Sequence, residues 1–204
     1  MPILPKPLPH TALDALQRGI AQTRGLPGAP AAPMLLASGH AAHWTDGLPQ
    51  ESFHLGLDDV TAQRGLDAAR PTGWHVLLGA PSELPSVAAD LHAADGGHNF
   101  AGLHFGPFVG RSLDAFRAAE AHPTVRGAEY EPRLLRVPAL FVTALWLKPR
   151  AAGADIVIPL DPAPSGLVVG RHYTATEFMN ELATLGRAMG AAPPSPSPTS
   201  PHAP

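Results

Sequence analysis

The chain contains no cysteine. Disulfides, thiolate metal ligands and a cysteine nucleophile are excluded together. Charge is scarce as well: Asp, Glu, Lys and Arg make up 15% of the 204 residues, and the formal net charge is −3. With only 14 Lys and Arg residues there is no basic field to hold a phosphate backbone, so nucleic acid is not an expected partner. No apolar run approaches the roughly 20 residues that a membrane-spanning helix requires, so no membrane partner is expected either. Residues 1–9, interrupted by Pro2, Pro5, Pro7 and Pro9, lack the continuous apolar segment of a secretory signal. A cytoplasmic location is the expectation.

Proline (25) and glycine (20) are abundant, and proline concentrates at the two ends. Residues 1–9 read as an extended extension with little fixed structure of its own. Residues 191–204, rich in proline and serine, read as a disordered tail. Between them, 10–190 has the length of one domain.

The longest apolar stretch, 137–147, does not alternate and is rich in β-branched and aromatic residues, so it reads as a strand buried on both faces. The turn-like segment 148–155 and the apolar run 156–160 follow, giving a hairpin expected at the centre of the sheet. Residues 53–57 and 74–78 read as further strands, and part of 98–109 as a strand running into a bend. Thr11 caps a helix carrying Leu13, Leu16 and Ile20 at helical spacing, which is either packed on the body or a detachable arm. A short helix is expected over 86–94, with Val87 and Leu91 at i,i+4, and another from Ser112 to His122. Thr174 and Glu177 form a capping box ahead of Phe178, Leu182, Leu185 and Met189, which mark the last helix. Strands and helices mix without a βαβ rhythm. The expected class is α+β: a mainly antiparallel sheet built around the 137–147/156–160 hairpin, with helices packed on one face.

Histidine is the residue that could carry chemistry, with 11 in the chain. His40 and His43 with Asp46 would face a divalent cation if they lay on a helix; the surrounding glycines favour ordinary loop histidines, and no other cofactor is expected. His98 and His104, six apart on an extended strand, share a face and with His75 would line a pocket as acid–base groups; half-buried strand histidines are the plainer reading. Arg111 and Ser112 stand at a helix start, where backbone amides and a guanidinium suit an anion. None of these is a strong catalytic motif. The primary expectation is therefore a non-catalytic binding or accessory protein that recognises a peptide or protein at a sheet edge, or pairs with its own copies. The alternative is a metal-dependent or acid–base enzyme using a histidine cluster.

Overall fold

The computed structural model describes residues 2–23, 47–78 and 87–190. In chain order these form helix α1 (His10–Thr23), strand β1 (Leu48–His54), the short helix α2 (Leu57–Thr61), and strands β2 (Arg70–Leu78), β3 (Val87–Ala94) and β4 (Gly97–Phe105). Helices α3 (Pro107–Ala121) and α4 (Pro123–Arg126) follow, then β5 (Tyr130–Val137), β6 (Val142–Pro149), β7 (Ile156–Pro159), β8 (Tyr173–Thr174) and helix α5 (Ala175–Gly190). The strands make one sheet in the order β4-β3-β2-β1-β5-β6-β7-β8. β1 and β5 pair in parallel and the other neighbours are antiparallel, so the fold is α+β with a mainly antiparallel sheet, as expected. The parallel pair has a topological cause. The chain runs outward through β2, β3 and β4, and a parallel neighbour for β1 then requires a crossover. Helix α3 provides it.

Alternation along β5 divides the core. Leu135 and Val137 point to one face, where Trp146, Tyr173, Phe178 and Leu182 bury them under α5. Leu134 points to the other, against Phe116 and Ala119 of α3 and Leu145 and Leu147 of β6. Burying one such Leu or Phe is worth about 1.5–3 kcal/mol. Helix α1 covers Trp74, Val76 and Leu91 on the α5 face through Ala12, Ala15, Leu16 and Ile20. It sits so close to β4 that a Cβ at Gly19 would lie 2.0 Å from the ring of Phe100. Helices therefore cover both faces rather than one.

Four further expectations are corrected. The stretch 137–147 is not one strand: Val137 ends β5, Pro138–Leu140 makes a 3₁₀ turn, and Phe141 takes a left-handed conformation (φ 53°) before β6 begins. Pro138 has no N–H to give a ladder, so the chain turns there and Val137 pairs back on Val142. The centre of the sheet is the β1–β5 pair, with the hairpin β6–β7 beside it. The segment expected as a helix over 86–94 is strand β3, with Ala88 and Ala89 buried between β2 and β4. Finally, the N-terminal extension is extended but fixed. Ile3 is 0% exposed, and Tyr130 N–H donates to the Pro2 carbonyl while Leu4 N–H donates to the Tyr130 carbonyl, both at 2.8 Å. The β1–β5 register would bring Leu48 opposite Tyr130; β1 diverges there and the extension takes its place.

Helix α5 begins as expected. The Glu177 N–H donates to Thr174 Oγ1 (3.2 Å), and the Thr174 N–H donates to Glu177 Oε2 (2.8 Å). Among the described residues no helix is long and apolar enough to cross a membrane. Residues 191–204 lie outside the described residues.

Candidate functional site

The α3 side of the sheet is apolar under the helix and polar beyond it. Strand alternation sends Gln50, Ser52 and His54 of β1, His75 of β2, Asp90 and His92 of β3, His104 of β4 and Arg136 of β5 to this side. Gln50, Ser52, His75 and Asp90 are buried. Buried polar groups are stable only when they are paired, and here one carboxylate organises the pairing. His75 Nδ1 lies 2.6 Å from Asp90 Oδ1, Arg136 donates to Asp90 Oδ2 at 2.9 Å, and His104 Nε2 lies 3.1 Å from the same oxygen.

Arg136 reaches Asp90 across β1 and β2. Gly73 of β2 lies between them with no side chain to obstruct it. Its φ of +143° and its distance to β3 require glycine, since an added Cβ would fall 1.8 Å from the Leu91 carbonyl oxygen. The neighbours of Gly73 on either side, Thr72 and Trp74, line a cavity of about 400 Å³ together with Ser52, His54, Pro71, Asp90, Leu91, His92, Ala93 and Arg136.

The electrostatics follow from the contacts. Burial pushes the Asp90 carboxyl up, but His104 and His75, together with the charge of Arg136, outweigh it and hold the group ionised far below the usual carboxylate range. An ionised carboxylate only accepts, so His75 Nδ1 carries a proton toward Asp90 and Nε2 lies on the far side of the ring. Among the described residues that buried Nε2 has no hydrogen-bond partner. The contact with Asp90 raises His104 above its ordinary value against the opposing effect of burial. Burial, then Arg136 and His92, lower His54, which is therefore neutral near pH 7.

The expected site residues are distributed as follows. His75 and His104 meet at Asp90. His98 does not join them. Asp90 pairs with Gly102 and Leu91 with Phe100, leaving Ala101 as a bulge that turns the even separation of His98 and His104 into opposite faces. His98 instead shares a 2.8 Å hydrogen bond with Thr11 of α1. Arg111 pairs with Asp161, and the Ser112 hydroxyl donates to the Phe108 carbonyl within the helix, so neither side chain is held out for an anion. His40, His43 and Asp46 lie outside the described residues; among the described residues no group of three or more His, Asp or Glu is placed to hold a metal ion. Asp90, Arg136, His54, His92 and Ser52 were not legible as site residues. Read as a strand, 87–94 would have placed Asp90 and His92 on one face.

The sheet edges are β4 and the short β8. Among the described residues the outer edge of β4 pairs with nothing, and the bulge at Ala101 interrupts it. No family model matches this chain, and no curated protein or solved structure is significantly similar to it.

Proposed function

We propose that the protein binds a small anionic molecule, a carboxylate or phosphate compound, in the cavity beside Gly73, with Arg136 as its anchor. The observation that carries this reading is the composition of the cavity wall. Its one carboxylate, Asp90, is already engaged by His75, His104 and Arg136, and the one fixed cation of the wall, Arg136, faces the cavity beside it. Among the described residues Asp90 is the single side-chain acceptor of Arg136, so its other N–H groups remain for a second acceptor. A guanidinium offers five donors in a planar fork that matches carboxylate and phosphate oxygens. Ser52 adds a hydroxyl, whereas that of Thr72 is donated to the Ser52 carbonyl, and His54 adds a ring that gains charge when a neighbouring anion favours its protonated form.

The test is a thermal-shift and calorimetry series with succinate, inorganic phosphate and the neutral succinamide, on the natural chain and on Arg136→Gln. The anions raise the midpoint and succinamide does not, and Arg136→Gln removes the response. A response to no anion, or one indifferent to Arg136, overturns the reading.

A second reading, a peptide adding a strand to the sheet, is favoured by the unpaired outer edge of β4. The bulge at Ala101 limits the length of ladder such a peptide would form.

A further inference from the structure

We infer that the junction where β1 parts from β5 is a peptide-recognition site of the strand-addition kind, filled in this structure by the chain's own residues 2–6. Its partner is an extended segment of another protein, with an aliphatic residue close to prolines and a lysine three positions further on. The inference does not depend on the anion-binding reading.

The site exists because two prolines fall on one junction. Glu51 pairs with Arg133 in the parallel ladder, and the Leu55 N–H donates to the Arg136 carbonyl at 2.9 Å. Continued by two residues, this register would have Pro49 donate to the Tyr130 carbonyl and accept from Pro132. Neither proline has an N–H, so both bonds are lost and β1 cannot serve the Tyr130 carbonyl. Residues 2–4 take its place. The Leu4 N–H donates to the Tyr130 carbonyl and the Tyr130 N–H to the Pro2 carbonyl. Ile3, between them, is fully buried in the apolar cluster that holds Phe116, Val125 and Tyr130.

The occupant defines the ligand. The Arg150 guanidinium donates to the Leu4 carbonyl at 3.1 Å, and Lys6 Nζ lies 3.1 Å from Glu51 and 5.8 Å from the centre of the Trp74 ring. The site thus reads a backbone of fixed direction through three hydrogen bonds, an aliphatic side chain through the apolar cluster, and a cation through Glu51 and Trp74. The residue at the place of Leu4 must have an N–H. At the places of Pro2 and Pro5 no N–H is used, so prolines there hold the segment extended without losing a bond. Residues 2–6 belong to the same chain and compete with a partner at an effective concentration on the order of millimolar. They act as a built-in inhibitor of the site.

The experiment titrates a fluorescein-labelled peptide with the sequence of residues 1–8 into three full chains, read by anisotropy: the natural one, Ile3→Asp and Leu4→Pro. Both substitutions weaken the internal occupant and leave the walls of the site unchanged. Both variants should bind the peptide, and the natural chain should bind it about 10-fold or more weakly than they do. A peptide carrying Leu4→Pro should bind none of the three, since it cannot donate to Tyr130. Bound peptide should also slow hydrogen exchange at the Tyr130 amide. A variant that is folded by near-ultraviolet circular dichroism but does not bind the natural peptide, or binds both peptides alike, overturns the inference. So does a natural chain that binds as tightly as the variants, or Tyr130 exchange that the peptide leaves unchanged. If neither variant folds, even when refolded with excess peptide, residues 2–6 are part of the fold rather than a ligand, and the inference fails.

Discussion

His75 Nδ1 stands 2.6 Å from Asp90 Oδ1 on residues that face one another in the β2–β3 register. With Arg136 and His104 on the other oxygen, the carboxylate is the shared acceptor of three groups from three different strands. Removing it leaves a buried histidine and a partly buried guanidinium without their partner. Asp90→Ala is therefore expected to cost about 3–5 kcal/mol in urea unfolding, because truncating one member of a buried charged network strands the rest. His104→Ala, which removes a side chain half exposed to solvent, is expected to cost about 1 kcal/mol or less. Equal, small losses for both would contradict the role given to Asp90.

The same contacts set the pH dependence of stability. His104 is raised above 6.5 in the folded chain, so its contribution is complete below 6.5 and is lost as pH rises through its folded value. His54 is lowered from 6.5 by burial, Arg136 and His92, and His172 by burial and its contact with His122. Their contributions are present above 6.5 and erode as pH falls below it. Asp90 is lowered from 3.8, and its contribution is lost as pH falls below 3.8. Denaturation midpoints should therefore decline on both sides of the histidine range. His104→Gln should flatten the alkaline decline and leave the acid one. An alkaline decline unchanged in that variant would show that His104 does not titrate as described.

Gly73→Ala tests the strand beside the cavity. Positive φ and the 1.8 Å approach to the Leu91 carbonyl oxygen both oppose a side chain there. The variant should lose more than about 1 kcal/mol and weaken succinate binding. Gly110→Ala, in the interior of α3 with nothing within 4 Å of the added atom, should instead gain about 0.4–1 kcal/mol. If the two variants behave alike, Gly73 is not under the constraint described.

Much of the fold was legible because local signals and tertiary contacts agree. The capping box at Thr174 and Glu177 starts α5 as expected, and the stripe of Leu16 and Ile20 is the buried side of α1. Two misreadings hid the site. Strand β3 is rich in alanine and low in intrinsic β preference, so Val87 and Leu91 passed as a helical pair; burial between two strands overrides that preference. Only as a strand does 87–94 bring Asp90 beside His75. The bulge at Ala101 then moved His98 off the face that an unbroken strand would give it, and Gly102 was its one local sign. Arg136 comes from β5, across the parallel junction, a neighbour that no local pattern announces.

The N-terminal extension is a structural part of the domain. Ile3 is fully buried against Phe116 and Tyr130 in the α3-side core. Ile3→Ala should cost about 2–5 kcal/mol in urea unfolding, whereas Val168→Ala, at a side chain 57% exposed, should change stability by about 0.5 kcal/mol or less. An Ile3 variant as stable as the natural chain would mean that the extension is not docked in solution.

The central claim, an anion held by Arg136 beside Asp90, is tested most directly by calorimetric titration of succinate into the full chain at pH 6 and pH 8, against Arg136→Gln. Succinate should bind the natural chain at both pH values, and Arg136→Gln should bind it at neither. No binding by the natural chain, or binding that is equal in both chains, would contradict the account.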